Sequence, residues 1–198
     1  MIPGLEIHQL IIDPVWQDKL FKLVDVFDKK QPLTRKTRQY GYEYDYKSRE
    51  SHKDKKLKKS LHDTPQQLSC ISDVIYKYSL MRQKANQIII NRYEPGEGIA
   101  AHRDHKRYFT GDIATLSLGS AYVMRFRPHP ENTLEDPSKV YDVLLPIGSL
   151  AVMKDHARNL WTHEIIGRKS DKINGVTIKR GTRISITFRT VADEFQGD

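Results

Sequence analysis

The residue types best suited to metal chemistry in this sequence are found at His102, Asp104 and His163. In an extended strand, residues two apart point to the same face, so His102 and Asp104 are predicted to converge on one point. His163, in an apolar segment further along the chain, is the best candidate for a third ligand. Two histidines and one carboxylate with open positions suit a non-haem Fe(II) oxygenase. The eight histidines of the chain leave other partners open, among them His105 and His156.

The segment 183–189 predicts a strand whose two faces differ in polarity. One face would carry two guanidinium and two hydroxyl groups, from Arg183, Ser185, Thr187 and Arg189. Unpaired buried charge is expensive, so inward-facing arginines require anionic partners. A dicarboxylic acid would satisfy both of them through bidentate contacts, which favour Arg over Lys. The alternative is that these arginines pair with Asp or Glu inside the protein, or face solvent.

Composition places the chain among single-domain globular proteins. Its 198 residues are 38% hydrophobic and 29% charged, enough for one domain with a core. No apolar run approaches the roughly 20 residues needed to cross a bilayer, and the start lacks a signal-peptide pattern. We therefore expect no membrane association and an intracellular protein, cytoplasmic or nuclear. Cys70 is the one cysteine, which excludes an internal disulfide and a cysteine-based metal site. The formal net charge of +8 favours a polyanionic partner, most plausibly nucleic acid.

Two helices are predicted before residue 86. Asp13 can cap the first, and Pro14 fits its first helical position. The apolar stripe of this helix is Leu20, Leu23, Val24 and Phe27. The second is predicted to begin at a capping box over 64–67 and to run to about Tyr78. Its buried stripe is predicted to be Leu68, Ile71, Val74, Ile75 and Tyr78.

Between the two helices, an aromatic segment is followed by a basic one. Period-two spacing predicts a strand or hairpin arm with four phenols on one face, those of Tyr40, Tyr42, Tyr44 and Tyr46. This face either packs on the sheet or contacts a substrate. Residues 47–59 then carry seven basic side chains, from Lys47, Arg49, Lys53, Lys55, Lys56, Lys58 and Lys59. They form either a solvated loop or phosphate contacts beside stacked bases.

After residue 86 the pattern is that of a β protein. Strands are predicted over 87–93, 113–118, 121–127, 140–145, 149–153, 160–166 and 183–189. Surface loops are predicted over 128–139 and 167–179. Seven short strands separated by turn residues are typical of a sandwich or jelly roll. We expect a mainly β single domain over 1–198, with flanking helices and the tyrosine-rich segment in 1–85 and a jelly-roll core in 86–191.

Several motifs in this second part share one order and spacing. They are Asn91-x-Tyr93, Gly96, His102-x-Asp104, His163 and Arg183-x-Ser185-x-Thr187-x-Arg189. Together they resemble the signature of the AlkB-like Fe(II)/2-oxoglutarate dioxygenases, and the stretch 41–46 resembles that family's nucleotide-recognition lid. The resemblance implies a double-stranded β-helix that uses Fe(II), 2-oxoglutarate and O2.

The same resemblance implies roles for individual residues. The metal would be held by His102, Asp104 and His163. The cosubstrate 2-oxoglutarate would be contacted by Asn91, Tyr93, Arg183 and Arg189, with Ser185 nearby. Candidate substrate contacts are Tyr42, Tyr44, Lys55, Lys56 and Lys106. The expected reaction is oxidation of a modified or alkylated base in nucleic acid, by a protein that we expect to be a monomer.

Two departures from the DNA-repair type of this family bear on the substrate. Lys106 stands where that type has an acidic residue, and Asp142 stands where it has an arginine. The stretches 116–120, 158–163 and 180–183 instead look like the eukaryotic tRNA wobble-uridine hydroxylase branch. This favours RNA of the tRNA type over duplex DNA, and the expected partner is RNA or single-stranded DNA. Repair of alkylated DNA stays open as an alternative, as do a non-catalytic nucleic-acid-binding module and a protein hydroxylase.

Overall fold

Strands dominate the computed structural model, which describes residues 1–9, 12–25, 36–44 and 57–197. The first elements are β1 (Leu5–His8), α1 (Pro14–Val24), β2 (Lys36–Tyr40), β3 (Tyr42–Glu43), β4 (Lys58–Lys59) and α2 (Gln66–Lys77). There follow β5 (Gln87–Tyr93), β6 (Ile99–His102), β7 (Phe109–Leu118), β8 (Tyr122–Pro128), β9 (Tyr141–Leu145) and β10 (Leu150–Met153). The last are α3 (Asp155–Asn159), β11 (Trp161–Ile165), β12 (Ser170–Ile173), β13 (Val176–Lys179), β14 (Arg183–Val191) and a 3-10 turn (Asp193–Phe195).

Two antiparallel sheets form the predicted jelly roll. The larger has the strand order β1-β10-β7-β14-β5-β2, and the smaller has the order β6-β11-β8-β9. One hydrophobic cluster contains residues of both sheets, including Ile113 and Met153 from the larger and Phe126 and Trp161 from the smaller. The sheets therefore pack against each other, and some of these apolar side chains, among them Ile113 and Met153, also line a cavity between the sheets.

The other face of the larger sheet is covered by the two long helices. Ile184, Ile186 and Phe188 of β14 pack in one cluster with Leu20 of α1 and Leu68 of α2. The alternation along β14 therefore has a direct cause, because its apolar face meets the helices and its polar face meets the other sheet. Neither helix is long and apolar enough to cross a membrane, and the same holds for every helix in the described part of the chain.

The helix ends and stripes follow the sequence only in part. Asp13 caps α1 as predicted, because its carboxylate accepts a hydrogen bond from the backbone N–H of Trp16 at 3.0 Å. The capping box predicted for α2 is wrong, since Pro65 occupies the N-cap position and no side chain caps the helix. The buried stripe of α2 is also narrower than predicted, because Val74 and Tyr78 are 51% and 69% exposed. Val74 is turned about 100° from the buried stripe, and Tyr78 follows the last helical residue.

The prediction of four tyrosines on one strand face is wrong. Gly41 has a φ of +78° and breaks the strand between β2 and β3. Tyr40 consequently packs in the cluster beneath the helices. Tyr42 and Tyr44 pack in a different cluster, with Tyr108, Phe109 and Phe195. The fourth tyrosine, Tyr46, and the basic residues of 47–56 lie outside the described residues.

The loop predicted over 167–179 is instead a β-hairpin. Strands β12 and β13 pair around Asn174 and Gly175, whose φ values are +48° and +82°. Positive φ at both central residues is typical of the tight hairpin turn that Asn-Gly favours. Asp171 of β12 is 1% exposed and points into the protein, which anchors the hairpin to the smaller sheet.

Candidate active site

His102, Asp104 and His163 meet at one end of the space between the sheets. His102 ends β6 and pairs directly with His163 of β11. Asp104 follows in a loop, so the prediction that a strand would carry both it and His102 is wrong, although the two residues do converge. The potential ligand atoms of the three side chains lie within 4.8 Å of one another. Nε2 of His163 is 3.8 Å from the Asp104 carboxylate.

The charge states of these side chains match what a divalent metal requires. The pKa of His163 is lowered to about 3. Burial is the main cause, and the lowering effect of the neighbouring His102 is larger than the raising effect of Asp104. Burial alone would raise the pKa of Asp104, but Arg189 and the histidines outweigh it and hold that pKa well below its usual range. At neutral pH His163 is therefore a neutral imidazole and Asp104 an ionised carboxylate, the forms that ligate metals.

Backbone carbonyls orient both ends of the His102–Asp104 segment. Nδ1 of His102 lies 2.8 Å from the carbonyl oxygen of Ala100. A carbonyl can only accept a hydrogen bond, so Nδ1 carries the proton and Nε2 is left as the free lone pair. Arg158 of α3, 3% exposed, donates to the carbonyl oxygens of Asp104 at 3.0 Å and Phe109 at 3.1 Å. Arg158 thereby fixes both ends of the loop that carries Asp104.

The two sheets enclose a cavity of about 500 Å³ beside these three residues. The polar face of β14 lines it, as the alternation predicted. On β5, Asn91 lies directly opposite Ser185, and Tyr93 lies directly opposite Arg183. The structure therefore brings together in one cavity all five residues predicted to contact 2-oxoglutarate, namely Asn91, Tyr93, Arg183, Ser185 and Arg189.

Arg183 and Arg189 differ in their partners. Arg183 is 1% exposed, donates to Oγ of Ser117 at 2.9 Å, and lies over the rings of Tyr93 and Tyr122 at 5.5 and 5.7 Å. Within the described residues no carboxylate lies at ion-pairing distance from Arg183, and its buried Nε has no acceptor. Arg189 instead contacts the carboxylate of Asp104. The donors around the cavity therefore fit an anionic ligand whose charge would be neutralised at Arg183.

The two tyrosines proposed as substrate contacts occupy different positions. Tyr44 lines the cavity, with its ring 5.8 Å from that of Tyr108 and 5.7 Å from that of Phe109. Tyr42 is 8% exposed, its hydroxyl donates to Gln196 at 3.0 Å, and it is not among the residues lining the cavity. Tyr44 thus lines the cavity, whereas Tyr42 packs outside it.

The basic residues proposed as substrate contacts are not gathered in the cavity. Lys106 donates to Glu131 at 2.9 Å and lines a neighbouring surface pocket. Asp142, the second departure from the DNA-repair type, forms a two-bond ion pair with Arg125, with both distances 2.7 Å. The other two candidates, Lys55 and Lys56, lie outside the described residues.

Sequence reasoning missed two buried polar residues next to the site. Arg158 was noticed only as part of a stretch similar to one family branch. Gln87 is fully buried and accepts a hydrogen bond from Nε of Arg189 at 2.8 Å. A glutamine at the start of the apolar strand β5 was the available signal, because a buried amide needs specific partners.

The chain matches known proteins over the same residues. Residues 8–189 match the family described as the 2OG-Fe(II) oxygenase superfamily. The tRNA (carboxymethyluridine(34)-5-O)-methyltransferase ALKBH8 of Mus musculus is 36% identical over 212 residues, which cover 96% of this chain and 30% of that protein. Uncharacterized protein L905 of Acanthamoeba polyphaga mimivirus is 46% identical over 115 residues, covering 58% of this chain and 52% of its own. The chain thus spans between about a third and about half of the length of these relatives.

A plant relative and two solved structures extend the comparison. The Alkylated DNA repair protein ALKBH8 homolog of Arabidopsis thaliana is 28% identical over 207 residues, covering 96% of this chain and 59% of its own length. The structure of OsALKBH1 superimposes with a TM-score of 0.64 at 18% identity, covering 96% of this chain and 99% of that one. A Pseudomonas putida prolyl-4-hydroxylase superimposes with a TM-score of 0.51 at 15% identity, covering 94% of this chain and 92% of that one. Both structures therefore show a shared fold. The chain belongs to the 2OG-Fe(II) oxygenase superfamily as an AlkB-like dioxygenase that uses Fe(II), 2-oxoglutarate and O2.

Proposed function

We propose that this dioxygenase oxidises a modified or alkylated base in RNA, of the tRNA type. The observation that carries the proposal is the joint placement, in one cavity, of a metal-ligand triad, a buried arginine that needs an anion, and the aromatic ring of Tyr44. These three features supply places for a metal, an acidic cosubstrate and a flat substrate. When bound, Fe(II) and 2-oxoglutarate supply the oxidation of a C–H bond, with succinate and CO2 as by-products.

His102, Asp104 and His163 would hold the Fe(II). Each would contribute one ligand atom, and three protein ligands would leave positions for the cosubstrate and O2. Arg189 contacts Asp104, so it both orients this carboxylate and places a positive charge beside the metal. The protein's part in the chemistry is to fix these ligands, to keep Asp104 ionised and to exclude water.

Arg183 would bind the carboxylate of 2-oxoglutarate that is distant from the metal. Its guanidinium group is buried, and the Ser117 hydroxyl and two tyrosine rings leave its positive charge unneutralised. The keto-acid end would then extend along β14 toward Arg189 and the metal. Asn91 and Ser185, opposite each other on β5 and β14, lie on the cavity face where they can hydrogen-bond the cosubstrate.

Tyr44 and the net charge support a nucleic-acid substrate. Base stacking on an aromatic ring is worth about 1–3 kcal/mol and is tolerant of sequence. The net charge of +8 adds attraction to phosphates. The vertebrate relatives are named for a tRNA uridine, which favours RNA, and the plant relative is named for repair of alkylated DNA, which keeps DNA as the second candidate.

Nucleoside mass spectrometry after incubation with tRNA, mRNA or single-stranded DNA tests the proposal. We expect an oxidised nucleoside from tRNA, formed only with Fe(II) and 2-oxoglutarate and absent with the His163→Ala protein. Circular dichroism of that protein checks that its fold is kept. With alkylated single-stranded DNA as the DNA substrate, faster conversion of it than of any RNA would replace the RNA proposal by the repair function. Products from none of the three would overturn a nucleic-acid substrate.

A further inference from the structure

Gln87 is a fully buried amide whose hydrogen bonds lead away from the metal site. Its Oε1 accepts from Nε of Arg189 at 2.8 Å, directly across the β5–β14 pair. Its Nε2 donates to the carbonyl oxygen of Tyr42 at 2.7 Å and to Oε1 of Gln39 at 3.1 Å. Both amide hydrogens and the carbonyl oxygen of Gln87 are thus in use, which fixes the orientation of the amide.

Gln39 continues the chain of hydrogen bonds to Tyr44. Its Nε2 donates to the carbonyl oxygen of Tyr44, and its Oε1 accepts from the Tyr44 backbone N–H, both at 2.9 Å. One side chain therefore satisfies both main-chain groups of the residue whose ring lines the cavity. Gly41 makes this path possible, because with φ at +78° it turns the chain so that the Tyr42 carbonyl meets Gln87.

We propose that Gln87 and Gln39, together the glutamine connector, are positioning residues that couple the Tyr44 segment to Arg189. The inference deepens the proposed function, on which it rests for the substrate role of Tyr44. At one end the connector holds the guanidinium group that contacts Asp104. At the other end it holds the backbone of Tyr44. A substrate that binds against Tyr44 therefore stabilises the position of Arg189 that cosubstrate binding and the contact with Asp104 require.

A purely structural role does not account for these side chains. Gln87 begins a strand whose next three residues are isoleucines, and an apolar side chain would fill the same buried place without needing polar partners. Arg189 is already packed against the Phe109 ring at 3.8 Å and paired with Asp104, so it is held without Gln87. What the amide adds is a connection, through Tyr42 and Gln39, to the backbone of Tyr44. Buried polar networks of this kind act as one unit, since each member orients the next.

Three substitutions separate the two ends of the connector. Gln87→Leu removes both ends, so we expect the KM for 2-oxoglutarate in substrate-free turnover to rise roughly 10-fold, as for loss of a hydrogen bond to a charged group. Gln87→Glu can still accept from Arg189, but it turns a carboxylate oxygen, which cannot donate, toward Tyr42 and Gln39, so its KM should rise less than that of Gln87→Leu. Gln39→Leu leaves Arg189 with its acceptor and should also leave this KM unchanged.

Hydrogen–deuterium exchange of residues 36–44 reports the other end without any turnover. In the wild type, 2-oxoglutarate added with Mn(II) should slow exchange of the Tyr44 amide, which is bonded to Gln39. The slowing should be lost in all three variants. With a nucleic acid that the wild type oxidises, the variants should also form more succinate per oxidised nucleoside. Gln67→Leu, on the exposed side of α2, is the matched control and should behave as the wild type.

The outcomes distinguish the connector from the proposed function. If the variants keep the wild-type KM and the wild-type exchange response, the connector is overturned even where RNA is oxidised. If the wild type oxidises no RNA base, the proposed function fails, and the KM and exchange measurements still decide the connector. A KM that rises equally in Gln87→Leu and Gln87→Glu would show general damage to the site and would also overturn it.

Discussion

Arg183 is a buried positive charge without a counter-charge in the described part of the protein. Burial lowers the pKa of this arginine, and a guanidinium group keeps its charge in proteins at neutral pH. Its contacts with Ser117 and two tyrosine rings offset part of the desolvation cost. The rest of the desolvation cost lowers the stability of the ligand-free protein. A bound anion would offset this cost, so the same buried charge lowers stability and raises affinity for the anion.

Replacing Arg183 by Met should therefore move stability and affinity in opposite directions. The ligand-free protein should be as stable as the wild type or more so, because an apolar side chain of similar length needs no counter-charge. The KM for 2-oxoglutarate should rise roughly 10- to 150-fold, as for loss of a charge-assisted contact of about 1.5–3 kcal/mol. Thermal unfolding and succinate release measure the two effects.

Arg125→Met, which breaks the pair with Asp142, is the control and should leave the KM for 2-oxoglutarate unchanged. An unaltered KM in the Arg183 variant would remove this residue from the cosubstrate site.

Arg158 offers a second test at the level of single residues. Lysine keeps its charge but has one nitrogen in place of a planar fork, so it cannot serve the carbonyls of both Asp104 and Phe109. The loop that carries Asp104 would loosen, and Arg158→Lys should weaken metal binding about 10- to 100-fold, as for other outer-shell partners of metal ligands. Titration of the protein with Mn(II) measures this directly. Arg127→Lys, at an exposed ion pair with Glu164, should bind Mn(II) as the wild type does. Equal metal affinity in both proteins would contradict the role of Arg158.

Among the larger elements, the β12–β13 hairpin is held by one carboxylate. Asp171 accepts hydrogen bonds from Arg180, Arg168 and the backbone N–H of Val123. Burial would raise the pKa of Asp171, but these donors outweigh it and the pKa is lowered. Arg180 in turn stacks on Tyr122 at 4.2 Å, next to Arg183. The hairpin therefore supports from outside the end of the cavity that Arg183 lines.

This arrangement predicts how stability depends on pH. A carboxyl with a lowered pKa in the folded state stabilises the fold fully above its ordinary value of 3.8, and that contribution is lost as pH falls through the folded value. At pH 7, Asp171→Asn should cost about 3 kcal/mol, because it leaves Arg180 buried without its carboxylate. The difference between the two proteins should shrink below about pH 4, where the wild type loses the same interaction. Urea unfolding across this range measures it. A difference that does not change with pH would show that the charge of Asp171 is not what matters.

How well an element could be predicted from sequence depended on what covers its two faces. Strand β5 was predicted over 87–93 and is found there, because its isoleucine run is buried on both faces of the sheet. Ile88 and Ile90 pack under the helices, and Ile89 lines the cavity. The β12–β13 hairpin was missed, since Asp171 faces inward and a hydrophobic pattern treats it as exposed. The break at Gly41 was also missed, as the period of the tyrosines continued through it. The burial of Gln87 and Arg158 depends on hydrogen-bond partners that are distant in sequence. A local sequence pattern carries no information about such partners.

At the scale of the molecule, basic side chains of the described residues lie on separate surfaces. Lys58 and Lys59 lie on β4, paired with Glu43 and Tyr42 of β3, next to the segment that places Tyr44 in the cavity. Lys172 and Lys179 lie on the same, outward face of the β12–β13 hairpin. An RNA whose base reaches the metal past Tyr44 would pass its backbone near β4, and the hairpin lysines would add only general attraction.

Salt dependence of RNA binding distinguishes oriented contacts from general attraction. For single strands the logarithm of affinity falls with the logarithm of salt concentration by about 0.7 per phosphate contact, so the double variant Lys58→Gln, Lys59→Gln should flatten the slope by about 1.4. The double variant Lys172→Gln, Lys179→Gln removes the same charge at the hairpin and should change the slope less. Fluorescence anisotropy with labelled tRNA from 50 to 200 mM salt, a range in which such contacts dominate, measures both slopes. If the two pairs flatten the slope equally, the RNA has no fixed path across the protein. If neither pair does, the phosphates are held elsewhere and Tyr44 loses its place in the substrate path.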